Sequence, residues 1–109
     1  MLSDLANSTV INLEKSVTIR NISDLLPEIS AALSGPKPVA IKLADTLEVD
    51  LSFVQLIESA RLSARANGKT LSLAQPASGP LLEVLQRGGF IESASDEDAQ
   101  FWLHKGSVQ

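Results

Sequence analysis

The sequence predicts an α/β domain with a mixed sheet, an opening hairpin followed by parallel strands, and about four covering helices. The prediction rests on strand-like and helix-like runs that alternate along the chain, on Gly or Pro punctuation after each helical run, and on a hydrophobic set dominated by aliphatics. With 109 residues, the chain is expected to form one domain spanning 1–109, its core lying at about residues 10–104.

Val10 to Leu13 and Val17 to Ile19 are short β-rich runs separated by Glu14-Lys15-Ser16, which reads as a hairpin with a polar turn. Ile22, Leu25, Leu26, Ile29 and Leu33 then fall on one helical face, and Ser34-Gly35-Pro36 ends the helix. Pro27 is tolerated only near a first turn, which puts the expected N-cap at about Ser23 or Asp24. Val39, Ile41 and Leu43 alternate with Ala40, Lys42 and Ala44 as in a strand buried mainly on one side.

After the acidic loop from Asp45 to Asp50, a second stripe of Phe53, Leu56, Ile57, Ala60 and Ala64 predicts a long helix ending at Asn67-Gly68. Lys69 to Ala74 alternates as a strand. Pro80 suits the first position of a third helix carrying Leu81, Val84 and Leu85, with Gly88-Gly89 as its stop and Phe90-Ile91 as a possible edge strand. Ser95 and Asp98 have capping-box spacing ahead of a last short helix with Phe101 and Trp102.

Composition removes several function classes. The net charge is −4 and no Lys/Arg cluster occurs, so nucleic acid is not expected as a partner. No apolar run approaches the ~20 residues of a membrane span and the start of the chain lacks a signal-peptide pattern, so a cytoplasmic domain without direct membrane insertion is expected. Cysteine is absent, which excludes disulfides and thiolate chemistry. The single histidine, His104, lies in the C-terminal tail, away from any serine and carboxylate in a triad-like pattern, and no catalytic residue is expected. Asp45, Glu48 and Asp50 lack the Gly and ligand spacing of a calcium loop, so no metal site is expected either.

What remains is the strand-loop-helix junction E-V-D-L-S-F-V-Q, Glu48 to Gln55. Asp50 and Ser52 both suit an N-cap, and Ser52 stands three residues before Gln55, as in a capping box. A helix N-terminus also accommodates phosphate, because its N–H groups are unpaired and its dipole is positive there.

At this junction the chain resembles the STAS family, the sulfate-transporter and anti-sigma-factor-antagonist domain. The resemblance is carried by A-I-K-L-A, V-D-L-S-F-V-Q-L-I-E-S-A-R, N-G-K-T-L-S-L-A-Q-P and L-L-E-V-L-Q-R-G-G-F-I, in that order, over roughly residues 10–104. It implies a STAS-like fold and a regulatory protein that is not an enzyme, acting by partner switching as an anti-sigma factor antagonist does. Ser52 falls on the family's phosphorylated hydroxyl in D-[ST]-[ST]-G and Asp50 on its acid, while Leu51 replaces the first hydroxyl residue and Phe53 the glycine. Phe53 can either turn into the core or shield Ser52.

The implied partner surface is Asp50, Leu51, Ser52, Phe53 and Gln55. The implied partner is an anti-sigma factor or histidine-kinase-like ATPase, and ATP belongs to that partner; no cofactor is implied for this chain. The same resemblance also implies two other settings: a small cytoplasmic STAS subunit docked on the ATPase of a lipid-transport ABC complex, and a STAS component of a chemotaxis-type signalling system. Apolar Leu51 and Phe53 fit stable docking at least as well as a switch.

Overall fold

A computed structural model describes residues 8–44 and 47–105. The elements follow in the order β1 (Thr9–Leu13), α1 (Ile22–Leu33), β2 (Val39–Leu43), α2 (Leu51–Ala66), β3 (Leu71–Leu73), α3 (Gly79–Arg87) and α4 (Asp96–Leu103). The fold is α/β, with four helices on a three-stranded sheet of order β1-β2-β3. Both strand pairs are parallel, and Ile41 of β2 lies between Ile11 of β1 and Leu73 of β3.

As the central strand, β2 buries Val39, Ala40 and Ile41 in succession rather than alternately, because its start is covered on both faces. The two β-α-β crossovers move the same way along the sheet, which brings α1 and α2 to one face, where they pack on each other. Ile29 of α1 and Phe53, Val54 and Ile57 of α2 join the strand side chains in the core, with Leu85 of α3 and Trp102 of α4 completing it.

The expected opening hairpin is not formed. β1 pairs with β2 instead, and among the described residues the segment after it forms one isolated parallel bridge, from Val17 to Val49. The reason is visible in burial: Val17 is in the core whereas Ile19 is 70% exposed, so two residues that would share a strand face point to different environments. The backbone donors of this loop find other acceptors. Val17 N–H donates to the Glu48 carbonyl at 2.9 Å, and Thr18 N–H to Oδ1 of Asn21 at 2.9 Å.

Three further expectations need correction. α1 begins at Ile22 with Asn21 before it, so Pro27 lies inside the helix; Ser23, whose carbonyl loses its helical donor there, is exposed and open to water. Leu26, assigned to the apolar face of that helix, is 51% exposed. Phe90-Ile91 adds no strand: Gly88 and Gly89 end α3, and Gly89 at φ 80° lets Phe90 N–H reach back to the Leu85 carbonyl at 2.9 Å. Gly68 at φ 67° closes α2 in the same way, with Lys69 N–H on the Ala64 carbonyl at 2.7 Å.

The expected capping box does start α4: Asp98 N–H donates to Ser95 Oγ and Ser95 N–H to the Asp98 carboxylate. Its helix is fastened to α2 by a small polar cluster. Trp102 Nε1 donates to Glu58 Oε2 at 2.9 Å, and the Arg61 guanidinium reaches both Glu58 at 3.0 Å and Asp98 at 3.1 Å while lying 4.3 Å from the Phe101 ring centre. Trp102→Ala should therefore destabilise the fold by about 3–5 kcal/mol, through lost apolar contacts and a cavity. Urea unfolding followed by far-UV circular dichroism measures this without needing the chain's single Trp as a reporter.

Candidate functional site

The junction between β2 and α2 is built on a buried residue followed by a carboxylate. Val49 is fixed in the core beside Val17, and the backbone of Asp50 is extended, which turns its side chain back over the first turn of α2. Asp50 is the N-cap. Its Oδ1 accepts from the backbone N–H of Ser52 at 3.0 Å and also from the Ser52 hydroxyl.

Sequence spacing allowed Ser52 to be the cap, with Gln55 completing a box. The structure places the cap two residues earlier, so the third helical position is Phe53, which has no polar side chain to return the bond; Gln55 is exposed one turn along the helix. The second oxygen of Asp50 does something the spacing did not reveal. Oδ2 accepts the backbone N–H of Ile19 at 2.9 Å, tying the loop after β1 to the start of α2.

Three consecutive side chains then diverge. Leu51 is 45% exposed, Ser52 is half-buried against Asp50, and Phe53 is fully buried. Phe53 thus takes the core alternative and does not shield Ser52. Ile19, exposed and held at this end of α2 by its own N–H, adds a second apolar side chain to the surface. Sequence reasoning misses it because the contact spans 31 positions and the local alternation of V-T-I predicts a hairpin strand there.

The Asp50 carboxylate is an anion satisfied by hydrogen-bond donors. Among the described residues no Lys, Arg or His pairs with Asp50. The Ser52 hydroxyl is the largest influence on its carboxyl; burial, the next, pushes the other way, and with the backbone N–H groups of Ile19, Ser52 and Phe53 added to the hydroxyl the carboxyl is held below the usual aspartate value of 3.8. The positive end of the α2 dipole acts in the same direction.

His104 lies elsewhere, closing α4 in a left-handed conformation with Nε2 3.0 Å from the Leu73 carbonyl. Of the acidic-loop residues, Asp45 lies outside the described residues, and Glu48 is exposed with its backbone carbonyl engaged by Val17.

The sequence model of one family, described as "Mlab, STAS domain", matches residues 1–92. The chain belongs to the STAS domain family. The matched length takes in β1 through α3 and the Asp50–Ser52 junction, and stops before α4. Neither the comparison with curated proteins nor that with solved structures gives a match. No helix among the described residues is long and apolar enough to cross a membrane.

Asp50→Ala removes the cap and the tie to Ile19 together, and should cost about 1–2 kcal/mol in urea unfolding. A carboxyl whose pKa is depressed on folding stabilises the native state above its unfolded value, and that contribution is lost as pH falls through the folded value. Carbon-detected NMR titration should therefore place Asp50 below 3.8 in the wild type, with an upward move in Ser52→Ala, where the largest cause is gone.

Proposed function

We propose that this STAS domain is a non-catalytic docking module that engages a protein partner through the start of α2, with Asp50, Leu51, Ser52 and Gln55 at the surface and Phe53 supporting them from the core. The observation that carries this reading is the pair of exposed apolar side chains, Ile19 and Leu51, on the two segments joined by the Asp50 carboxylate. Apolar anchors beside satisfied polar groups are what a protein interface uses at its centre.

Of the settings implied by the family, stable docking on an ATP-binding subunit, such as the ATPase of a lipid-transport ABC complex, agrees best with this chemistry. Leu51 stands where a switch-type member carries a hydroxyl, and Ser52 Oγ is already engaged as a donor to Asp50. In this setting ATP is bound by the partner, the domain is cytoplasmic, and Ser52 needs no modification.

Partner switching is the second reading, supported by the partial exposure of Ser52 at a helix N-terminus. A phosphoryl group there adds about −1.5 to −2 charge next to the Asp50 carboxylate, and a closed interface would have to desolvate both. A penalty of about 3 kcal/mol is enough to weaken binding roughly a hundredfold.

Co-expression with an ATPase subunit encoded beside this gene tests the first reading. The wild type and Ser52→Ala should co-purify with it equally, and Leu51→Asp or Ile19→Asp should weaken the complex by at least about tenfold, as expected when a central anchor is lost. Full retention by the Ile19→Asp/Leu51→Asp double variant would refute this surface. Incubation with a neighbouring kinase and ATP separates the two settings: an intact mass that rises in the wild type but not in Ser52→Ala favours the switch.

A further inference from the structure

The two oxygens of Asp50 serve different parts of the chain. Oδ1 is held by the N–H and hydroxyl of Ser52, and Oδ2 holds the N–H of Ile19. Because a carboxylate is a rigid plane, one oxygen cannot move without moving the other.

The remaining bonds of the loop do not duplicate this tie. Asn21 Nδ2 donates to the Ser16 carbonyl, Thr18 N–H to Asn21 Oδ1, Arg20 N–H to Thr18 Oγ1 and Asn21 N–H to the Thr18 carbonyl, all within residues 16–21. They preserve the loop's shape without fixing it to α2. Val17 N–H is anchored outside the loop, on Glu48, but two residues before the tip.

We propose that Asp50 is a latch through which the chemical state of Ser52 sets the position of Ile19. With a hydroxyl at Ser52, the carboxylate is drawn toward α2 by two donors and presents Oδ2 to Ile19. With a phosphate there, Oδ1 loses one donor and faces a second anion, Asp50 has no ion-pair partner among the described residues to offset the repulsion, and the carboxylate rotates away. Ile19 N–H is then released and the loop tip separates from the start of α2. A modification at Ser52 thereby alters the shape of the surface as well as its charge. The functional meaning rests on the partner-switching reading above, whereas the latch itself is a property of the isolated chain.

Amide hydrogen exchange measured by NMR on the full chain tests it in four forms: wild type, Asp50→Ala, Ser52→Ala, and a chain carrying phosphoserine at position 52 introduced by ligation. In the phosphoserine chain and in Asp50→Ala, Ile19 N–H should exchange at least about tenfold faster, while Val17 N–H stays within about twofold of wild type, the signature of a local opening. Ser52→Ala keeps the backbone donor to Oδ1, so Ile19 should stay within about threefold of wild type there.

Unchanged Ile19 exchange in the phosphoserine chain would overturn the latch, and so would equal acceleration of Val17 and Ile19. If Asp50→Ala fails to fold, the phosphoserine chain alone decides. Partner affinity is a separate readout: a released Ile19 with undiminished binding in the phosphoserine chain removes the switching reading and leaves the latch, and weakened binding with Ile19 unreleased removes the latch alone.

Discussion

Everything in this domain is arranged by the parallel pairing of β2 with both of its neighbours. A strand buried from Val39 to Ile41 in the middle of a parallel sheet needs helices across its face, and each connection must return the chain to the same starting edge. All strand ends are thereby delivered to the opposite edge, where the loop after β1 and the loop before α2 meet. The contact between Ile19 and Asp50 is a consequence of that geometry.

The same geometry explains what could be read from the sequence. Helices were legible because their burial repeats at helical spacing and their ends carry glycine: Phe53, Ile57, Ala60 and Ala64 are buried as the stripe indicated, and Gly68 and Gly89 take the left-handed conformations that end α2 and α3. The Ser95–Asp98 box was legible because both of its bonds are local. The absence of the expected hairpin has a related reason. V-T-I alternates like a strand, but the acceptors for its N–H groups are Glu48, Asn21 and Asp50, and two of these lie beyond a whole helix and strand in the chain.

At the candidate site the residue types were legible and their division of labour was not. Asp50 and Ser52 were both suitable caps, and only the extended backbone at Asp50 assigns the cap to it, leaving Ser52 as a donor. Phe53 had two possible orientations on sequence grounds; the core offered a fully enclosed place, and apolar burial decides in favour of it. Ile19 carried no local signal of any kind.

The attachment of α4 limits how α2 can be approached from outside. Glu58, Arg61 and Arg65, on the later turns of that helix, already bond to Trp102, Asp98 and Glu97 of α4, in a part of the chain beyond the family match. Those turns are occupied by the protein's own C-terminal helix. Of a rod of 16 residues, about 24 Å long, only the leading half lies before this occupied stretch. A protein that grips α2 from its leading end therefore has a short footprint there, and must gain the rest of its contact area from the loops around Ile19.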